Sequence, residues 1–302
     1  MNKYIVLVFL IISISCQQKA NKNRKLQVVT TTTMITDLVK NIGGDKIDIQ
    51  GLMGAGVDPH LYKASEGDVS KFFNADVIVY NGLHLEGKLE DVFEKMRQQN
   101  KQTIAASDAL DTATLIGSEY FASNYDPHIW FSITNWEIIT QYITDKLSEL
   151  DAENAATYKL NGANYLKTLA SLKTAITAQV NSLPIEKRIL VTAHDAFNYF
   201  GKEFQFNVVG LQGLSTATEA GVQDVRRLAS FIEEKNVKAI FVESSVPKRT
   251  VEALQEAVRA KGKEVLIGGT LYSDALGSNG TAEATYVGMY KHNVKIIVSS
   301  LK

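Results

Sequence analysis

The chain alternates short β-rich runs with segments whose apolar residues recur at helical spacing, and it does so in two blocks. The first block spans residues 27–150 and the second spans residues 184–302. Strands that alternate with helices predict parallel sheets, because each parallel connection has to cross back over its sheet. We therefore predict an α/β fold with two similar parallel-sheet lobes, one N-terminal and one C-terminal.

A long helical segment separates the two blocks. Residues 152–182 contain no proline, and Pro184 ends the pattern. The apolar positions at helical spacing are Tyr158, Tyr165, Leu169, Leu172 and Ile176. About thirty residues of helix would span about 45 Å, which suits a rod between two lobes. We assign residues 151–183 to this linking helix, the alternative being two helices broken near Asn161 and Gly162.

The N-terminus has the pattern of a secretory signal. Lys3 precedes an apolar run over residues 5–12. This run is too short for a membrane-spanning helix, which needs about 20 apolar residues. The run leads to Cys16, the only cysteine, and this arrangement resembles a lipoprotein signal, although Ser13 stands where leucine is usual. We predict a signal peptide over residues 1–16 with lipidation at Cys16. The alternative is a free cysteine beside an ordinary cleavage site.

Composition narrows the function. Residues 17–26 are polar and basic and predict a flexible tether. The remaining chain of about 280 residues is long enough for two domains. The formal net charge is −1, so there is no basic excess to bind nucleic acid. Because the single cysteine is assigned to lipid, any metal site has to use His, Asp or Glu.

Four side chains are candidates for such a site. His60 and His128 each follow an Asp-Pro pair, and His194 directly follows the β-rich run RILVT. Asp274 lies a few residues beyond the run VLI. His60, His194 and Asp274 thus come just after predicted strands, at the sheet edge where ligands bind in open parallel sheets. His128 lies in a loop that we cannot place against a strand.

Two of these candidates belong to each lobe, so they can converge if the lobes face each other. Three imidazoles and a carboxylate form a donor set suited to Zn²⁺, Mn²⁺ or Fe²⁺. Spacing alone does not establish convergence, and a single loop histidine is more often a surface or hydrogen-bonded residue than a ligand.

Several motifs occur in order over nearly the whole chain. They are VDPHLY (57–62), YNGLHLEGKL (80–89), DPHIWFS (126–132), TAHDAFNYF (192–200), LYSDALG (271–277) and GTAEATYVGMYKHN (280–293). Together they resemble the periplasmic or lipid-anchored metal-binding proteins that serve zinc and manganese ABC transporters. The resemblance implies two α/β lobes joined by one long rigid helix.

The resemblance also implies a site and a function. The metal ligands of the family fall on His60, His128, His194 and Asp274, and the cargo would be one Mn²⁺ or Zn²⁺ ion. The expected partners are an ABC permease and, through the lipid anchor at the cell envelope, a membrane. We expect a monomer that is not an enzyme. Zinc-specialised members often carry a histidine-rich loop after the NGL motif, and here that loop has only His84. Its absence favours a manganese binder or a mixed manganese, zinc and iron binder.

Three further residues are weaker candidates for a place near the ion. Glu243 ends the run AIFVE and could orient a ligand histidine, and Asp195 could act similarly. A capping or salt-bridging role for Glu243 is an equal alternative. His84 follows the run VIVYNG and could be a ligand, the alternatives being a place behind a ligand residue or a role in packing the loop.

Two other functions remain open from the residues alone. A secreted zinc-dependent hydrolase could use three histidines, a carboxylate and a water, but the chain has no HExxH motif. An adhesin-like surface lipoprotein is the second alternative, and the chain shows no repeats or extended stalk.

Overall fold

The computed structural model describes residues 24–302, so the predicted signal peptide, Cys16 and most of the tether lie outside the described residues. No helix of the described part is long and apolar enough to span a bilayer. The strands are β1 (Leu26–Thr30), β2 (Ile47–Gly51), β3 (Val77–Tyr80), β4 (Gln102–Ala105), β5 (Ile189–Thr192), β6 (Asn207–Gly210), β7 (Ala239–Glu243) and β8 (Leu266–Leu271). The helices are α1 (Thr33–Gly43), α2 (Glu66–Asn74), α3 (Glu90–Gln98), α4 (Ile133–Leu150), α5 (Ala155–Val180), α6 (Asn198–Phe204), α7 (Val222–Lys235), α8 (Arg249–Arg259) and α9 (Tyr286–Leu301).

The strands form two four-stranded sheets with the same topology. The order is β2-β1-β3-β4 in the first lobe and β6-β5-β7-β8 in the second, and all pairs are parallel. In each sheet the direction of winding reverses beside the first strand, which leaves a crevice at the carboxyl ends of the strands flanking that point. The predicted fold class, two similar parallel-sheet lobes joined by a long helix, is confirmed.

Helix α5 is continuous through Asn161 and Gly162, so the alternative of two helices broken near these residues is wrong. Asn161 donates its side-chain amide to the carbonyl of Ile42 at the end of α1, at 3.0 Å. A Cβ at position 162 would lie 2.4 Å from Thr144 Oγ1 on α4, so Gly162 permits a close helix contact. The two residues therefore serve packing between helices and do not interrupt α5, which at 26 residues is about 39 Å long.

The linking helix belongs to a core that both lobes share. Helix α5 packs against α1 and α4 of the first lobe and against α9 of the second. Trp136 of α4 stacks on Tyr286 of α9 with ring centroids 5.1 Å apart. Because one apolar cluster continues across this side of the molecule, the lobes are held together there.

Candidate metal centre

The four predicted ligands come together between the lobes. His60 lies in the loop after β2, and His128 immediately precedes a 3-10 turn over Ile129–Phe131. His194 follows β5 directly and Asp274 follows β8 by three residues. All four side chains are buried, and each offers one ligand atom within 4.8 Å of the ligand atoms of the other three.

The separations among these atoms suit a single central ion. The Nε2 atoms of His60 and His128 are 3.3 Å apart, and His194 Nε2 lies 3.3 Å from Asp274 Oδ2. Asp274 Oδ1 is 3.7 Å from His128 Nε2, while Oδ2 is 4.0 Å from His60 Nε2. A tetrahedron around Zn²⁺ with ligand bonds of 2.0–2.1 Å has edges of about 3.4 Å. The observed separations bracket this edge length.

Several of these atoms have no hydrogen-bond partner within the described chain. His194 Nε2 and both carboxylate oxygens of Asp274 are buried and make no hydrogen bond of good geometry, although Nε2 lies 3.3 Å from Oδ2. A buried carboxylate whose hydrogen bonds are incomplete is costly unless a cation compensates its charge. The donor set and these buried atoms therefore fit a divalent cation bound by residues 60, 128, 194 and 274.

The directions of the pKa shifts distinguish a ligand that is free for a metal from one that carries a proton. Burial lowers the pKa of His60 to about 3, so this imidazole is neutral and free to bind a metal. Burial would raise the pKa of Asp274, but His194 beside it outweighs burial and holds that pKa below its usual range. Burial would lower the pKa of His194, yet the carboxylates of Asp274 and Glu243 hold it well above the usual value. Without metal, a proton on His194 thus offsets the Asp274 charge.

Two of the three histidines are oriented by a second carboxylate. Glu243 Oε2 lies 2.5 Å from His194 Nδ1, and its Oε1 accepts the backbone N–H of His194 at 2.8 Å. Asp126 Oδ1 lies 2.7 Å from His128 Nδ1. A carboxylate on Nδ1 fixes the tautomer so that Nε2 faces the ion, and it makes the imidazole a better donor. Glu243 thus lies behind a ligand histidine, one of the roles considered for it from the sequence. Asp126 was not singled out from the sequence, although its place two residues before a histidine was a usable signal.

The loop that carries His128 is supported by hydrogen bonds from the NGL motif (residues 81–83) and the residues that follow it. Asn81 donates its side-chain amide to the carbonyl of Pro127 at 2.9 Å. The buried carboxylate of Glu86 in turn accepts the backbone N–H of Asn81 at 2.8 Å and the hydroxyl of Thr31 at 2.6 Å. The conformation of residues 81–86 thereby supports the residue before His128, a role that spacing in the sequence did not reveal.

The other two weaker candidates lie outside the four-residue cluster. The His84 side chain is 42% exposed, and its Nδ1 lies 3.7 Å from Glu90 Oε1. His84 lines a cavity that also contains His60, so it lies near the ligands without joining them. Asp195 is partly buried, which raises the pKa of its carboxyl group, and its backbone carbonyl accepts the side-chain amide of Asn198 at 3.5 Å.

Replacing Asp126 by asparagine should weaken metal binding without unfolding the chain. We expect a 10- to 100-fold loss of affinity, on the order typical when the carboxylate behind a ligand histidine is removed. Competition against a chelating dye measures this loss. Asp195→Asn is the matched control, because Asp195 adjoins the site without contacting a ligand ring, and it should stay within about threefold of the wild type. Equal losses in both variants would show that the Asp126–His128 contact has no specific role.

Two parallel-sheet lobes with a buried His₃Asp cluster between them define a metal-binding protein of the two-lobed solute-binding class. Residues 28–300 match the family model described as the periplasmic component A of the zinc-uptake complex. The chain belongs to this family.

Individual relatives agree with this assignment. The manganese-binding lipoprotein MntA of Bacillus subtilis (strain 168) is 45% identical over 280 residues, covering 93% of this chain and 91% of MntA. The manganese ABC transporter substrate-binding lipoprotein PsaA of Streptococcus pneumoniae (TIGR4) is 30% identical, covering 99% of this chain and 96% of PsaA. The solved structure of the periplasmic zinc-binding protein TroA from Treponema pallidum has a TM-score of 0.89 at 45% identity, covering 92% of this chain and 99% of TroA.

MntA and TroA are named for the metal that they bind, and PsaA is named as the substrate-binding protein of an ABC transporter. They confirm the prediction of a non-enzymatic metal-binding protein. The alternatives, a zinc hydrolase and an adhesin-like lipoprotein, do not fit them.

Proposed function

We propose that the protein captures one divalent transition-metal ion through His60, His128, His194 and Asp274 and delivers it to an ABC permease. The observation that carries this proposal is the convergence of four buried ligand atoms within 4.8 Å of one another. Three of the four residues are 1% exposed or less and His60 is 5% exposed, so the ion would be enclosed. Four protein ligands on a tetrahedral ion leave no open position for a substrate. The arrangement therefore suits binding and release.

The cargo is Zn²⁺ or Mn²⁺, and the same donors accept Fe²⁺. Both oxygens of Asp274 face the imidazoles, with Oδ1 nearest His128 and Oδ2 nearest His194. One oxygen completes a tetrahedral zinc site, while both oxygens give the five ligands that suit manganese better. The relatives at 45% identity include one manganese-binding and one zinc-binding protein, in agreement with a site that accepts either ion. With a single histidine in the loop after NGL, we retain the prediction of a manganese or mixed binder.

The expected setting is the outer side of a bacterial membrane. We propose that residues 1–16 form a lipoprotein signal and that Cys16 carries the lipid, in line with the lipoprotein relatives MntA and PsaA. Residues 17–26 would tether the folded part to the membrane. The proposed organisation of that part is a monomer with lobes over residues 27–150 and 184–302, linked by residues 151–183.

Titration of the dialysed protein tests this function. We expect one tight site per chain for Zn²⁺ and for Mn²⁺, with zinc the tighter because divalent-ion affinities generally rise from manganese towards copper and zinc. Lowering the pH from 7.5 to 5.5 should weaken zinc binding by at least about tenfold, because a proton competes with the ion for His194, whose pKa is raised. Isothermal calorimetry supplies stoichiometry and affinity. A stoichiometry well below one, or the same stoichiometry after His60→Ala plus His194→Ala, would exclude this site.

A further inference from the structure

The two Asp-Pro-His loops are attached to the second lobe to very different degrees. Five hydrogen bonds join residues 126–131 to it, although this segment precedes the linking helix. They are Asn198 Nδ2 to Asp126 Oδ2 (3.1 Å), Tyr199 Oη to Asp126 O (3.1 Å), Trp130 Nε1 to Ser273 O (3.0 Å), Tyr286 Oη to Trp130 O (2.8 Å) and Tyr290 Oη to Phe131 O (2.7 Å). His128 is thereby held beside His194 and Asp274.

The loop that carries His60 has a single hydrogen bond to the second lobe within the described chain. The hydroxyl of Thr216 donates to Asp58 Oδ2 at 2.5 Å. The other oxygen of the same carboxylate, Oδ1, accepts the backbone N–H of His60 at 2.8 Å. Asp58 therefore connects the position of a ligand to the segment of the second lobe that contains Thr216.

This contact lies beside an opening of the site. A cavity of about 250 Å³ reaches His60, and its wall includes Phe121 of the first lobe and Ser215 and Ala217 of the second. Ser215 and Ala217 flank Thr216 in the chain, so the segment that binds Asp58 also forms part of this wall. Movement of the segment away from Asp58 would widen the cavity at His60 and leave the five hydrogen bonds of residues 126–131 in place.

We propose that Asp58 and Thr216 are positioning residues that retain the metal, and that His60 is the ligand that leaves first during release. The inference rests on the proposed function as a metal-capture protein. His128, His194 and Asp274 would remain together as a three-ligand unit, and the ion would depart past His60 through the cavity. The Asp58–Thr216 hydrogen bond then controls the dissociation rate far more than the association rate.

Stopped-flow kinetics of the full folded chain loaded with Zn²⁺ test this inference. Thr216→Val removes the hydroxyl at nearly unchanged volume, and we expect about tenfold faster zinc dissociation, because a hydrogen bond to a charged group is lost. The association rate should change by less than about twofold. Thr216→Ser keeps a hydroxyl and should restore the wild-type dissociation rate. The dissociation rate is read from a zinc-sensitive dye at several dye concentrations and extrapolated to zero dye.

Thr218→Val is the matched control, since Thr218 is exposed in the same segment and its hydroxyl makes no hydrogen bond within residues 24–302. It should release zinc at the wild-type rate. If Thr216→Val also releases zinc at that rate, or if Thr216→Ser is as fast as Thr216→Val, the positioning role is wrong while metal capture stands. A wild-type protein that takes up no zinc would instead overturn the proposed function, and this inference with it.

Discussion

Replacing His194 by alanine is expected to lower the affinity for Zn²⁺ by at least about 100-fold. Four ligands share a binding free energy on the order of 10–16 kcal/mol at structural zinc sites, so one imidazole accounts for about 3 kcal/mol. The substitution also leaves Glu243, which is 2% exposed, without the ring that it contacts. The affinity is measured by competition with a chelator of known zinc affinity. Circular dichroism of the metal-free variant should show that the fold is retained.

His84→Ala is the control for this variant, because His84 lines the neighbouring cavity without joining the ligand cluster. Its zinc affinity should stay within about twofold of the wild type, as expected for a surface substitution. The ligand assignment would be wrong if His194→Ala retained wild-type affinity, or if His84→Ala lost as much affinity as His194→Ala.

Metal loading is expected to raise the melting temperature of the protein by about 8–16 °C at a free-ion concentration 1,000 times the dissociation constant. Binding to the folded state alone adds about 4 kcal/mol under these conditions, and each kcal/mol raises the melting temperature of a chain of this size by about 2–4 °C. The carboxylate of Asp274 is the anionic ligand of the site. Asp274→Asn should therefore abolish most of the rise. The rise in melting temperature is measured by differential scanning fluorimetry, first with metal and then with excess chelator.

A second aspartate separates the metal effect from a general loss of stability. Asp151 accepts hydrogen bonds from Tyr158 and Asn154 at 2.6 and 2.8 Å, near the start of α5. Asp151→Asn should lower the melting temperature with and without metal and leave the metal-dependent rise intact. A rise that persists in Asp274→Asn would mean that the stabilising ion binds elsewhere.

Much of the local structure was predictable from the sequence. The β-rich runs VIVYNG, RILVT and AIFVE contain strands β3, β5 and β7, and the long helical segment over residues 152–182 contains α5. These patterns are strong because the strands are mostly apolar on both faces and the helix has apolar residues at regular helical spacing. Helix α6, Asn198–Phe204, was not predicted, since seven residues are too few for a helical period to stand out.

The sequence by itself determined the elements, the α/β class and the kinds of ligand available, because periodicity and residue chemistry are local properties. Whether His60, His128, His194 and Asp274 meet was decided by the tertiary structure, since these residues are spread over more than two hundred positions.

The two Asp-Pro-His motifs illustrate the difference between local sequence and tertiary structure. In both, the aspartate accepts the backbone N–H of the histidine, at 2.8 and 2.9 Å. The second carboxylate oxygen binds the other lobe in both motifs, through Asn198 for Asp126 and through Thr216 for Asp58. Asp126 in addition contacts the ring of its own histidine. Identical local sequences acquire different roles because the groups around them come from distant parts of the chain.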